Sequence, residues 1–174
     1  MYMNRRLIKK NSASGFTLIE VLISVLVLAI GLLGMAALQM NGLRNNQSAY
    51  LRAQATQLAY DMADRMRTNI LEARDPMSGG TYNNGAATAN DCAANVCTTA
   101  QMTGYDFTQW NSTLQTQLPL GAGTVCIDST PNDGTSTAPA CSGTGTVYAI
   151  KVWWDDDRSG GANQRFVMSF QPWN

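Results

Sequence analysis

Glu20 carries the one ionisable side chain between Phe16 and Leu38, and this isolation is the strongest chemical signal in the sequence. A carboxylate at the centre of a bilayer costs about 2.5–3.5 kcal/mol on insertion scales, and less near the bilayer surface. No Lys or Arg lies within one helical turn of Glu20. The carboxylate therefore needs a counter-charge from lipid headgroups, from another chain, or from an amine created by processing.

Four cysteines form the second candidate site: Cys92, Cys97, Cys126 and Cys141. All of them follow the apolar segment, and an even number of cysteines on the outward side of a membrane suits disulfides in an oxidising periplasm. Three pairings are possible, and proximity in the sequence favours Cys92 with Cys97 and Cys126 with Cys141. The alternative is a thiolate metal site, but neither pair has the two-residue spacing of a zinc knuckle.

A weaker candidate is a calcium loop at Asp155 and Asp157. Together with Ser159 and Gly160, these residues match the first, third, fifth and sixth positions of an EF-hand loop. The twelfth position is Phe166, where the EF-hand requires a bidentate Glu. A solvated hairpin loop is therefore favoured over calcium binding, and we expect no resident metal or cofactor.

Composition excludes several classes of function. The chain has no histidine, which removes imidazole-based catalytic triads and imidazole metal ligands. We find no pairing of a nucleophile with a base elsewhere, so an enzyme is not expected. Net charge is zero, and loss of the four basic residues in positions 1–15 would leave 8 Lys and Arg against 12 Asp and Glu. An acidic remainder argues against nucleic-acid binding, which needs a basic surface.

The segment around Glu20 is long enough to cross a membrane. From Phe16 to Leu38 there are 23 residues, which as a helix would extend about 35 Å against about 30 Å of bilayer hydrocarbon. Residues 1–14 carry four positive charges and no acidic residue, which favours a cytoplasmic position for this end. We therefore expect the rest of the chain to lie on the periplasmic side of the inner membrane.

Hydrophobic periodicity predicts an α+β head after this segment. Apolar residues recur at steps of three and four from Leu51 to Ile70, which indicates an amphipathic helix that stops near Ala73 and contains an ion pair between Asp61 and Arg65. A shorter helix is predicted to end at Leu118. Strands are predicted over 124–128, 146–154 and 165–170, forming an antiparallel meander.

One face of the predicted sheet is suited to receive the helix. Period-two alternation places Tyr148, Ile150, Val152 and Trp154 on the same face of the second strand, with Lys151 on the opposite face. The loop between the first two strands would be tied by Cys126 and Cys141. A disulfide that closes about 16 residues is worth on the order of 3 kcal/mol in the chain-entropy model.

The stretch Gly15-Phe16-Thr17-Leu18-Ile19-Glu20 resembles the signal of the type IV pilin family. The resemblance implies that a prepilin peptidase cuts after Gly15 and N-methylates Phe16. Glu20 would become the fifth mature residue, and its carboxylate would pair with the Phe16 amine of a neighbouring subunit in the filament. It also implies the α+β pilin fold, in which a long N-terminal helix with a membrane-spanning first half packs on a small antiparallel sheet.

Four later stretches are similar to those of minor pilins: 30–39, 63–69, 105–110 and Leu118-Pro119. The resemblance implies a leader at 1–15, a transmembrane and filament-core helix at 16–42, and a head at 43–174 whose helical part covers 43–75. Implied partners are the prepilin peptidase, the major pilin, other minor pilins and a tip adhesin, in support of adhesion and twitching motility. The alternative is a minor pseudopilin of a type II secretion or DNA-uptake machine.

Overall fold

The computed structural model describes residues 15–74, 80–83, 90–162 and 164–171. The predicted leader lies outside these residues, except for Gly15. In chain order the elements are α1 Leu18–Thr68, α2 Ile70–Ala73, α3 Thr99–Gln117, β1 Ala122–Ile127, β2 Tyr148–Trp154 and β3 Gln164–Phe170. The chain divides into two compact units between Arg44 and Asn45.

The first unit contains the apolar half of α1. Within the described residues, α1 is the one helix whose length and composition would allow it to cross a membrane. Its most apolar window has a mean hydropathy of 2.8, and none of that window is buried inside the protein. Every large apolar side chain from Leu18 to Leu43 is more than half exposed. This surface therefore has no partner within the described part of the chain.

The second unit has the predicted α+β fold, which is confirmed. Its three strands form an antiparallel sheet in the order β1-β2-β3, so the predicted meander is correct. The side chains Tyr148, Ile150, Val152 and Trp154 of β2 join one hydrophobic core with Phe170 of β3. From α1 the core receives Leu51, Ala55, Leu58, Ala59, Met62, Ala63 and Met66.

Helix α3 contacts both α1 and β1, and these contacts explain two glycines in the following segment. Its N-cap is Thr98, which forms a capping box with Gln101, and its C-cap is Leu118, where the helix was predicted to end. The Trp110 indole Nε1 donates to the carbonyl oxygen of Leu58 at 2.8 Å. A Cβ atom at Gly123 would lie 2.3 Å from the Trp110 ring, and one at Gly121 would lie 2.1 Å from the Leu114 carbonyl oxygen. Only glycine allows this close approach of β1 to α3.

The amphipathic helix does not run unbroken to Ala73 as predicted. Helix α1 ends at Thr68, because Asn69 leaves the helical conformation with φ −107° and ψ 52°. One further turn, α2, follows from Ile70 to Ala73. Asn69 is buried and uses its side chain in a polar network rather than in continuing the helix.

Candidate functional site

Gly15 and Phe16, the expected cleavage site, precede the first helical residue of α1. The first hydrogen bonds of the helix are those that the carbonyl oxygen of Thr17 accepts from the backbone N–H groups of Glu20 at 3.1 Å and Val21 at 3.3 Å. Phe16 is 84% exposed. The peptide bond between Gly15 and Phe16 is thus outside the helical hydrogen-bond ladder and accessible within this unit, as a peptidase substrate needs.

Glu20 lies in the first turn of α1. A negative charge is favourable there, because the N-terminal end of a helix carries a partial positive charge. Among the described residues no ion pair involves Glu20, and its surroundings on α1 are exposed apolar side chains. Within the described ranges the Glu20 carboxylate therefore has no counter-charge, and its pairing with the amine of another chain stays a prediction.

A buried polar network joins the end of α1 to α3. Asn69 Nδ2 donates to the Thr99 carbonyl oxygen at 2.9 Å, to Thr103 Oγ1 at 3.2 Å and, at a longer 3.4 Å, to the Tyr82 hydroxyl. The Tyr82 hydroxyl donates to Asp106 Oδ2 at 2.5 Å. Burial and the adjacent Asp106 carboxylate raise the pKa of Tyr82, so the phenol stays protonated as the donor.

Arg65 connects this network to the surface of α1. Its Nε donates to Asp61 Oδ2 at 2.9 Å, which confirms the predicted pair, and its Nη1 lies 3.4 Å from Asp106 Oδ1. Burial works against the charged guanidinium, but the two carboxylates outweigh it and the pKa of Arg65 is raised. Arg65 and Asn69 belong to one sequence stretch and Asp106 to another. The sequence alone did not indicate that these two stretches meet.

Lys151 lies on the face of β2 opposite the core, as the alternation predicts. Its side chain is nevertheless fully buried, which the sequence did not indicate. The residues between Cys126 and Cys141, here called the disulfide loop, cover this outer face of the sheet. Lys151 Nζ contacts Asp128 Oδ2 at 2.6 Å and Asp133 Oδ1 at 3.0 Å, and it donates to the Pro139 carbonyl oxygen at 2.8 Å. The ammonium therefore fixes the loop to the sheet.

The partners of Asp128 keep it ionised. Burial alone would raise the pKa of the Asp128 carboxyl, but the contact with Lys151, the backbone N–H of Thr130 and the hydrogen bond from Ser142 outweigh it and lower the pKa to about 2. The Asp133 carboxyl also has a lowered pKa, because it binds Lys151 and the Thr130 hydroxyl. Two carboxylates and two backbone carbonyls thus surround a single buried cation.

The structure joins Cys92 to Cys97 and Cys126 to Cys141, with Cα–Cα distances of 5.5 and 6.0 Å. Neither pair leaves a thiol available for a metal, and among the described residues no cluster of three or more acidic or Cys side chains could hold a metal ion. The first disulfide closes a short turn before α3, and the second closes the disulfide loop over Lys151.

For these cysteines we expect non-reducing peptide mapping of the purified protein to find the pairs Cys92–Cys97 and Cys126–Cys141. Each pair closes a short loop, and short loops bring their ends together at the lowest entropic cost. Mass shifts of the same peptides after reduction and alkylation provide the control. A crossed pair, such as Cys97 with Cys126, would contradict the assignment.

Asp155 and Asp157 form a hairpin turn. Asp155 accepts from the backbone N–H groups of Ser159 at 3.2 Å and Gly160 at 2.8 Å, and Asp157 accepts from Ser159 at 3.1 Å. Both Asp155 oxygens thus bind the loop's own backbone, and Gly160 has φ +92°, which favours glycine. This hydrogen bonding accounts for the acidic pattern that suggested calcium.

Two family models match adjoining parts of the chain. Residues 10–36 match the prokaryotic N-terminal methylation motif, and residues 37–108 match the family described as type IV pilin Tt1218. The first match contains Gly15, Phe16 and Glu20, and the second contains Arg65, Asn69 and Asp106. No curated protein and no solved structure matches the chain.

Proposed function

We propose that this chain, whose two matches support the type IV pilin family as a pilin or pseudopilin subunit, is a minor pilin that resembles PilV. In this role it primes pilus assembly and lies at the pilus tip with other minor pilins and an adhesin. The motif stretches at 30–39, 63–69 and 105–110 support this finer assignment. Adhesion and twitching motility would depend on the assembled pilus rather than on any catalytic step.

The observation that carries the proposal is the combination of the matched methylation motif with the unpartnered apolar surface of α1. Its large side chains from Leu18 to Leu43 are more than half exposed, so they require lipid or other chains. A membrane satisfies them before assembly, and the core of a filament made of similar helices satisfies them afterwards. The order of events is insertion, cleavage after Gly15, N-methylation of Phe16, and transfer into the pilus.

The domain assignment follows from the same sequence of steps. Residues 1–15 serve as the leader removed by the prepilin peptidase, residues 16–42 as the membrane and filament-core helix, and residues 43–174 as the head. This head would make the contacts with neighbouring pilins. Its structure is held by the polar network at Arg65, Asn69 and Asp106 and by the ion pairs of Lys151. A pseudopilin of a secretion or DNA-uptake machine would use the same N-terminal chemistry, and the minor-pilin stretches favour the pilus.

The test is intact-mass analysis of sheared pili and of membranes from the native host. We expect a chain that begins at N-methylated Phe16, present in pili at far lower abundance than the major pilin. The major pilin in the same spectrum is the internal control for processing. Mature protein that begins elsewhere would contradict the pilin assignment. A correctly processed chain that is absent from pili, with a secretion or DNA-uptake defect when its gene is deleted, would instead assign it to a pseudopilin machine.

A further inference from the structure

A polar cavity of about 390 Å³ lies between the disulfide loop and the outer face of the sheet. It is lined by Gly134, Thr135, Trp153, Ala162, Gln164 and Arg165. The lining is more polar than apolar, and the cavity is near the lower end of the size range of small-molecule sites. None of these residues belongs to the N-terminal processing and assembly motif, so the cavity is not explained by the proposed function.

Trp153 lines this cavity and has an unused hydrogen-bond donor. The residue is 3% exposed, and its indole Nε1 has no hydrogen-bond partner among the residues that the structure describes. The indoles of Trp110 and Trp154 differ, because they donate to Leu58 and Asp156 at 2.8 and 3.3 Å. A buried N–H without an acceptor is unfavourable, and native structures rarely keep one without a reason. Nε1 is closed to a water-sized molecule, so a ligand oxygen in the cavity can accept from it only after the indole shifts towards the cavity.

Arg165 supplies a positive charge that no acid in the described part of the chain neutralises. It lies directly opposite Trp153 in the pairing of β2 with β3. Its Nη1 donates to the Gly134 carbonyl oxygen at 2.8 Å, and its Nη2 donates to the Asn132 carbonyl oxygen at 2.5 Å. Both acceptors are neutral, and within the described ranges no carboxylate lies at ion-pair distance from Arg165. Lys151, which precedes Trp153 by two residues on the same face of β2, forms ion pairs with two carboxylates.

We propose that this cavity binds a monosaccharide-sized ligand that carries a carboxylate, such as a uronic acid. The guanidinium of Arg165 has N–H groups beyond the two that hold the loop, and guanidinium is the side chain best matched to a carboxylate. The Trp153 indole N–H and the Gln164 amide are suitable donors for the ring and hydroxyl oxygens of the same ligand. A purely apolar ligand would leave the guanidinium and the indole donor unpaired.

The test is an NMR titration of the full chain in detergent micelles, observing the tryptophan indole N–H resonances. The Trp153 resonance is assigned by its loss in Trp153→Phe. We expect D-glucuronate to shift this resonance saturably, with a dissociation constant on the order of 1 mM for so small a ligand. D-glucose, which lacks the carboxylate, should cause no saturable shift, and acetate should bind at least tenfold more weakly than glucuronate.

Variants test whether the resonance shift arises from glucuronate bound in the cavity. Arg165→Gln is expected to weaken glucuronate binding at least tenfold, whereas Arg52→Gln, which removes an exposed charge of the same kind on α1, should leave it unchanged. If Arg165→Gln disturbs the loop and does not fold, Gln164→Ala serves instead, because that side chain is exposed. No shift with glucuronate, equal shifts with glucose or acetate, or an unchanged affinity in both cavity variants would overturn the proposal.

Discussion

Glu20→Ala is expected to leave the protein in the membrane and remove most of it from assembled pili. The substitution deletes the one charge in the apolar segment, so insertion of α1 into the bilayer should be unchanged or improved. The loss must then appear at assembly. In the filament, the amine of Phe16 on a neighbouring subunit would be buried without its counter-charge, and an uncompensated buried charge costs several kcal/mol.

The measurement compares two fractions for Glu20→Ala and wild type. One is the abundance of the protein in the membrane, and the other is its amount in sheared pili relative to the major pilin. A cost of several kcal/mol corresponds to a decrease of at least tenfold in incorporation, since about 1.4 kcal/mol is a factor of ten. Glu20→Asp, which keeps the charge, should retain part of the incorporation, and Glu20→Gln should resemble Glu20→Ala.

Asp64→Ala is a suitable control, because it removes an exposed carboxylate of α1 whose ion pair, with Arg67, lies at the surface. It should be incorporated as wild type is. Equal incorporation of Glu20→Ala and wild type would remove the assembly role assigned to Glu20. A fall in membrane abundance would point to a defect in folding or processing.

Hydrophobic periodicity was sufficient to predict the core of the head, to which α1 and one face of the sheet contribute. The buried positions on α1 recur at steps of three and four, and alternate residues of β2 enter the same core, so both patterns follow from a single buried face. The meander followed because the three strands are separated by turn-rich connections. In such elements the sequence pattern and the tertiary contacts depend on the same apolar face.

The outer face could not be predicted in the same way. Period-two alternation assigned Lys151 to the opposite face of β2 correctly, but it does not reveal whether that face meets solvent or a loop. Burial of Lys151 depends on Asp128 and Asp133, which approach it only because the disulfide loop folds back over the sheet. Irregular segments have no hydrophobic periodicity. The sequence pattern therefore predicts neither the ion pairs of Lys151 nor the cavity at Trp153.

The break at Asn69 was missed for a related reason. Asn is a moderate helix former, and nothing local required the helix to end there. The break is stabilised by acceptors that are distant in the sequence, namely the Thr99 carbonyl oxygen and the Thr103 hydroxyl. The start of α3, in contrast, has a local signal, because Thr98 and Gln101 have the spacing of a capping box.

Lys151→Met is expected to cause the largest loss of stability among single substitutions on the outer face of the head. Methionine fills much of the space of the lysine stem, but it removes the ammonium that pairs with Asp128. Both side chains of this pair are 0% exposed. Removing one partner of a buried ion pair costs about 3–5 kcal/mol, because the other charge remains buried without compensation. Denaturation of the oxidised full chain in detergent micelles, followed by tryptophan fluorescence, measures the loss.

Asp128→Asn should cost less than Lys151→Met. In that variant the ammonium still contacts Asp133 Oδ1 at 3.0 Å and still donates to the Pro139 carbonyl oxygen at 2.8 Å. Arg52→Met is the control for loss of a cation, because Arg52 is exposed on α1. A loss in Lys151→Met no larger than in Arg52→Met would show that the buried pair does not hold the disulfide loop on the sheet.

The pH dependence of stability distinguishes loss of the ion pair from a simple packing defect. In the wild type the Asp128 carboxyl has a folded-state pKa of about 2 against an ordinary value of 3.8. Its contribution to stability is therefore present above about pH 4 and is lost as the pH falls towards 2.

In Lys151→Met the buried carboxyl of Asp128 lacks its cation, so burial raises its pKa above the ordinary value, and protonation stabilises the folded state. The stability difference between wild type and Lys151→Met should thus shrink as the pH falls below about 5. A difference that stays constant from neutral pH to about pH 3 would mean that Asp128 does not depend on Lys151 for its charge.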